Sequence, residues 1–109
     1  MSVEKAGVID AIGVEKNSGK VILTISDHLG WEDESGHLST LQAKLNSYLA
    51  FIESGEMLES YPDARGRDVI IDVVGKDLPT PNAERFLEKA GKELARAGLV
   101  LRFKVLDAQ

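Results

Sequence analysis

Hydrophobic and polar residues alternate in two short stretches near the start of the chain. The first spans Val8 to Glu15 and the second Val21 to His28, and both are rich in β-branched residues. Turn-forming residues, Lys16 to Gly19, separate them. The pattern therefore predicts a β-hairpin whose second strand buries Leu23 and Ile25 on one face, and this alternation sets the register of the strand.

Apolar residues at helical spacing follow the hairpin and predict an amphipathic helix over residues 34–54. The residues that set this spacing are Leu38, Leu41, Leu45, Leu49 and Ile52, with Tyr48 beside them. We expect Gly55 to end the helix in a left-handed conformation. Residues 56–68 show no clear period, so we predict a long ordered loop there, before a third strand from Val69 to Val74.

The dipeptide Thr80-Pro81 marks the start of a second helix. Thr80 can cap the free amides, and Pro81 suits the first helical position because its missing N–H leaves no hydrogen bond unmade. Apolar residues then recur on one face, at Ala83, Leu87, Ala90, Leu94 and Ala97, with Phe86 adjoining. Gly98 is predicted to end this helix, and the alternation from Leu99 to Leu106 predicts a half-buried last strand.

These elements follow the order ββαβαβ, which predicts an α/β fold of the two-layer sandwich type. Because right-handed crossovers can place strands two, three and four parallel, we expect a four-stranded mixed sheet with two helices on one face. The second face would present apolar and polar residues together: Ile22, Ile70, Val74 and Val100 with Thr24, Asp72, Arg102 and Lys104. This face is either a mixed surface or the interface of a homodimer or another partner.

Composition narrows the class of protein. The 109-residue length fits one domain over residues 1–109, and 43% hydrophobic with 28% charged residues is typical of a soluble globular protein. The absence of cysteine excludes disulfides, a thiol nucleophile and thiolate zinc sites. The sequence shows neither a signal-peptide core nor an apolar run long enough for a membrane span, so we expect a cytoplasmic protein without membrane contact. A net charge of -5 disfavours nucleic acid as a partner.

The stretch from Ser26 to Ser39 contains the only tryptophan and both histidines. Ser26, Asp27 and His28 are the residue types of a nucleophilic triad, but adjacent strand side chains point to opposite faces, so they cannot act together. His28 and His37 could bind a metal ion together with a carboxylate from Asp27, Glu32 or Asp33. The spacing matches no specific metal motif.

The same stretch has two further interpretations. Asp33, Glu34 or Ser35 could cap the predicted helix while Trp31 packs against the sheet. Alternatively, the stretch is a recognition loop in which Trp31 is an anchor flanked by carboxylates. Other groups of residues are less specific. Arg65 and Arg67 could bind an anion or form ion pairs with nearby carboxylates. No glycine-rich phosphate-binding loop follows any predicted strand.

Five segments of the chain carry a resemblance to known proteins: IDAIG, GKVILTISDHLGWEDE, LQAKLNSYLAFIESGE, YPDARGRDVIIDVV and LRFKVL. Through them, nearly the whole chain resembles a family of small uncharacterised bacterial proteins, catalogued as a domain of unknown function. The resemblance implies a bacterial, stand-alone soluble domain, and it implies no activity, cofactor or catalytic residue. In size and charge the chain is also similar to immunity proteins that neutralise basic nuclease toxins.

The leading functional hypothesis is a non-enzymatic binding module without a cofactor, immunity-like or regulatory, that recognises a basic protein. Its predicted acidic surface comprises Trp31, Glu32, Asp33 and Glu34, continued by Glu53, Glu56 and Glu59. One alternative is a metal-binding protein or metal-dependent hydrolase that uses His28 and His37. The other is a homodimeric structural domain that associates through the second face of the sheet.

Overall fold

The structure is a computed structural model that describes residues 3–106. Within this range the chain forms four strands and three α-helices, and a 3₁₀ turn at Pro62–Ala64 precedes the third strand. In chain order the elements are β1 (Ala11–Val14), β2 (Val21–Asp27), α1 (Glu34–Glu53), α2 (Glu56–Ser60), β3 (Val69–Gly75), α3 (Pro81–Arg96) and β4 (Leu99–Val105).

The strands form one mixed sheet in the order β1-β2-β3-β4. β1 is antiparallel to β2, whereas β2, β3 and β4 are parallel, with Leu23 opposite Ile71 and Ile71 opposite Leu101. Leu41 and Leu45 of α1 and Leu94 of α3 pack in one apolar core with the same face of the strands. The predicted mixed sheet with α1 and α3 on one side is therefore confirmed.

Both long helices begin and end where the sequence predicts. The Asp33 carboxylate accepts a hydrogen bond from the Gly36 amide at the start of α1, and the Thr80 hydroxyl accepts one from the Ala83 amide at the start of α3. Gly55 and Gly98 follow the two helices with φ of 88° and 79°, a conformation that side chains disfavour. Of the three cap candidates, Asp33 is therefore the one that acts.

The predicted loop over residues 56–68 is wrong. This segment contains the short helix α2 and the 3₁₀ turn Pro62–Ala64, so the fold has three α-helices in the described range and not two. Met57 and Ala64 are buried in the core and hold these turns against it. Five residues of helix are too few to show an apolar period, and for this reason the pattern did not reveal α2.

The first strand is also shorter than predicted, because Asp10 leaves the strand and uses its side chain instead. The Asp10 carboxylate accepts a hydrogen bond of 2.9 Å from the Ser26 amide, at a point where β1 no longer covers the edge of β2. Nearby, the Tyr48 hydroxyl donates to the Thr24 carbonyl and accepts from the Asp10 amide. The Val3 amide donates to the Ser26 carbonyl. The exposed end of the β2 edge is thus closed by side chains and by the N-terminal segment.

Lys44 of α1 lies at the centre of this edge and is fully buried. Its ammonium group donates to the Lys5 and Val8 carbonyls and to the Asp10 carboxylate, the last at 3.0 Å. Three acceptors match the three donors of an ammonium group, so the buried charge is satisfied. We call Asp10, Lys44 and Tyr48 the edge cluster.

Tyr48→Phe is expected to lower the free energy of unfolding by about 1–3 kcal/mol, because the Asp10 amide and the Thr24 carbonyl both lose a buried partner. Burial raises the pKa of the Tyr48 hydroxyl to about 12. Since this lies above the ordinary value of about 10, the contribution of Tyr48 is complete below pH ~10 and is lost as the pH rises towards 12. Urea unfolding across this pH range measures both effects. Tyr61→Phe is the control, and an equal loss in the two variants would contradict the prediction.

Candidate functional site

The carboxyl ends of the three parallel strands meet at one edge of the sheet, where α/β proteins usually bind ligands. β2 ends at Asp27 and β3 at Gly75, and the Lys76 amide donates to the Asp27 carbonyl at 2.9 Å. The loop that leaves β2, residues 28–33, leads into α1 at the same edge. This loop is therefore the candidate site.

Asp27 and His37 form a buried pair beneath the loop. The His37 Nε2 atom lies 2.6 Å and 2.8 Å from the two carboxylate oxygens of Asp27, and both side chains are almost fully buried. The His37 Nδ1 atom lies 2.8 Å from the Gly30 carbonyl oxygen. A carbonyl oxygen only accepts, so Nδ1 carries a hydrogen, and a further proton is shared between Nε2 and Asp27. Neither nitrogen is left with a free lone pair for a metal ion or a substrate proton.

Trp31 lies on top of this pair. Its indole stacks on the His37 ring with 3.6 Å between centroids and 19° between planes. Trp31 is half-buried in this position. The stack and the contact with the Gly30 carbonyl both attach the loop to His37.

His28 lies at the surface, away from the Asp27–His37 pair. It is largely exposed, and its Nε2 atom lies 3.2 Å from a carboxylate oxygen of Glu4. Within residues 3–106, no group of three or more histidine, aspartate or glutamate side chains is placed to hold a metal ion. The structure therefore brings Asp27 and His37 together, but it does not gather His28, Glu32 or Asp33 with them.

Glu34 joins the two long helices. Its carboxylate accepts hydrogen bonds from Asn82 at 3.0 Å and from the Thr80 hydroxyl, both at the start of α3. The hydrogen bond from Asn82, and to a smaller extent that from Thr80, lowers the pKa of Glu34 below its ordinary value. Glu34 thus has a structural role: it links the start of α1, where the loop ends, to the start of α3.

A shallow depression of about 360 Å³ opens beside His37. The carboxylates of Glu4, Glu32 and Asp33 line it, while Gly30 and Gly36 provide room for them. A Cβ atom at Gly30 would meet the Glu32 carboxylate, and one at Gly36 would meet that of Asp33. We call this feature the acidic depression.

The other predicted acidic residues lie elsewhere. Glu53, Glu56 and Glu59 are exposed at the far end of α1 and on α2. Since α1 has 20 residues and a helix rises 1.5 Å per residue, about 30 Å separate the two ends of α1. The predicted acidic surface therefore consists of two separate patches.

The face of the sheet opposite the helices, which we call the open face, carries one buried charge. Ile22, Ile70 and Val100 lie in register across it, as do Thr24, Asp72 and Arg102. Asp72 is only 4% exposed. One of its carboxylate oxygens lies 3.4 Å from Arg102 and 3.5 Å from Lys104, and the other has no hydrogen-bond partner among the described residues.

Arg67, one of the two arginines considered as anion ligands or as partners of carboxylates, bonds to backbone carbonyls. Arg67 donates to the Asp63 carbonyl at 2.7 Å and to the Gly19 carbonyl at 2.9 Å. It therefore ties the segment before β3 to the turn of the β-hairpin. Its role in the described structure is to join two loops.

Comparison with known proteins identifies the family but no activity. The model of a family of unknown function, DUF6572, matches residues 1–107. The chain belongs to this family. No curated protein and no solved structure matches the chain. Within the described range of this DUF6572 member, no helix is both long and apolar enough to cross a membrane.

Two features of this DUF6572 member escaped the sequence analysis. Lys44 and His37 both lie on the buried face of α1, each about one turn from Leu41. Polar residues of an amphipathic helix normally lie on the opposite face, towards water. Two polar residues at positions that the helical period assigns to the core could therefore have indicated buried polar pairs. The sequence analysis grouped Asp27 with His37 only as possible metal ligands, and it did not identify Asp10 as the partner of Lys44, because the tertiary fold alone brings these residues into contact.

His37→Ala is expected to lower the free energy of unfolding by about 3–5 kcal/mol, because it leaves the buried Asp27 carboxylate without its partner. His28→Ala removes an exposed imidazole and should change it by less than about 0.5 kcal/mol. Urea unfolding followed by far-ultraviolet circular dichroism gives both values, and Trp31 fluorescence reports the loop separately. Similar losses in the two variants would refute the structural role of His37.

Proposed function

We propose that this protein is a non-enzymatic binding module that recognises a basic protein through the acidic depression. The observation that carries the proposal is that three acidic residues, Glu4, Glu32 and Asp33, line one concave site near the half-buried Trp31. An arginine or lysine side chain has the charge and shape to enter such a site, and the indole offers an apolar or cation–π contact for it.

The rigidity of the loop supports binding. His37 bonds to the Gly30 carbonyl and Trp31 stacks on the His37 ring, so the loop is attached to the buried Asp27–His37 pair and a partner would have less of it to order. Association then loses less conformational entropy than it would with a mobile loop. The net charge of -5 would also speed the encounter with a basic protein and make it sensitive to salt.

A binding role agrees better with the chemistry of the site than catalysis does. A general base needs a nitrogen or oxygen with a free lone pair directed at its substrate. The His37 nitrogens are both engaged within the fold, and His28 is exposed beside Glu4. The lack of cysteine agrees with a place of action in the reducing cytoplasm.

Hexalysine amide is a direct probe of the acidic depression, with Trp31 fluorescence as the readout. At low salt we expect saturable binding that weakens as salt is added, and no binding of hexaglutamate. Glu32→Gln should weaken binding roughly threefold, since it removes one carboxylate from the depression. Glu88→Gln makes the same change in net charge at an exposed position of α3 that lines neither depression, and it is the matched control. Equal effects of the two variants, or no binding by the wild type, would overturn the proposal.

A homodimer is the second candidate, and Asp72 favours it. Among residues 3–106, one oxygen of this buried carboxylate has no hydrogen-bond partner, and the same face carries Arg102 and Lys104. A two-fold interface must be self-complementary, and a face with both an acid and bases meets that condition.

Sedimentation velocity tests the dimer. We expect the wild type to dimerise as its concentration rises, and Val100→Glu to remain monomeric because Val100 is 49% exposed on the open face. Leu78→Glu is the control, since Leu78 is 76% exposed in the loop before α3. A monomeric wild type at millimolar concentration would exclude the dimer.

A further inference from the structure

The outer edge of β1 carries no partner strand within residues 3–106. The Glu15 amide donates to the Lys20 carbonyl, so Glu15 faces β2, and backbone direction alternates along a strand. Ala11 and Gly13 consequently also face β2, whereas the N–H and C=O groups of Ile12 and Val14 point away from the sheet. An unpaired edge of this kind is a template for another strand.

A depression of about 640 Å³ lies directly beside this edge. Its apolar lining comes from Ile9 and Ile12 on the strand side and from Ala50 and Phe51 of α1 on the helix side. A strand added to β1 would direct every second side chain to the helix side of the sheet. Those side chains would enter the depression, while its main chain would pair with Ile12 and Val14.

The charge around the depression is acidic. Glu56 lines it, and the exposed Glu53 and Glu59 are each adjacent in sequence to a lining serine, Ser54 and Ser60. No lysine or arginine contributes to the lining. Charge complementarity therefore favours a basic occupant over an acidic one.

We propose that the β1 edge and its neighbouring depression bind an extended basic peptide segment, by adding it as a fifth strand to the sheet. Such a segment has apolar side chains at alternate positions, which fill the depression, and lysine or arginine between or beside them, which meet Glu53, Glu56 and Glu59. Main-chain hydrogen bonds provide affinity in this mode and the pocket provides selectivity. The site is independent of the acidic depression and does not depend on the function proposed for it.

A capped heptapeptide of alternating lysine and valine is the probe, and amide hydrogen exchange measured by NMR is the readout. We expect slower exchange at the Ile12 and Val14 amides on binding, together with shifts at Ala50 and Phe51. The same peptide with N-methyl groups on alternate residues retains its charge but lacks the N–H groups of one edge, so it should bind about tenfold more weakly. Equal affinity of the two peptides would overturn strand addition.

Variants separate this site from the acidic depression. Glu56→Gln combined with Glu59→Gln should weaken the heptapeptide several-fold, whereas Glu32→Gln should leave its effect on the Ile12 and Val14 amides unchanged. Shifts confined to residues 28–37 would assign the peptide to the acidic depression and overturn this proposal. Protection of the Ile12 and Val14 amides that grows with protein concentration, without peptide, would assign the edge to a second copy and would also overturn it.

Discussion

The Lys44 ammonium group, fully buried and bonded to three oxygens, is the contact on which the arrangement of the N-terminal half depends. It joins helix α1 to the N-terminal segment through the Lys5 and Val8 carbonyls and to Asp10, whose other oxygen holds the β2 edge. A charge can remain in an apolar interior only when its partners are all in place. The packing of α1 on the sheet and the path of the N-terminal segment therefore depend on each other.

Two polar pairs fix α1 on β2, and each lies near the same end of the strand. Lys44 pairs with Asp10 beyond the edge of β1, and His37 pairs with Asp27 at the last residue of β2. The two helix residues are two turns apart on one face, with Leu41 between them. Each hydrogen-bonded pair needs its two partners at one distance and orientation, so two such pairs specify the position of the helix more narrowly than apolar contacts alone. The pairs thus set the position of the helix. The conformation of the loop that contains Trp31 depends on that position, because the loop joins β2 to α1.

The fold was largely predictable because its strands and long helices have clear periods and strong caps. Thr80-Pro81 and Asp33 start the helices and Gly55 and Gly98 follow them as the pattern indicates. Helix α2 was missed because five residues show no period, and its stability comes from Met57 in the core.

The site was less predictable than the fold. The sequence located the loop around Trp31, but it could not show that His37 turns inward to Asp27 while His28 meets Glu4. Those choices depend on the distance between β2 and α1, which only the tertiary structure sets. The same holds for the division of the acidic residues between the two ends of α1.

The order of the strands in the sheet, β1-β2-β3-β4, is also their order of synthesis. Every strand after the first adds beside the one made just before it, so no later segment has to insert between strands already paired. The β-hairpin can form while α1 is still being made. The connection that contains α1 and α2 then brings β3 next to β2, and α3 brings β4 next to β3. The sheet can accordingly grow in step with translation, and the β3 edge stays uncovered only until β4 leaves the ribosome.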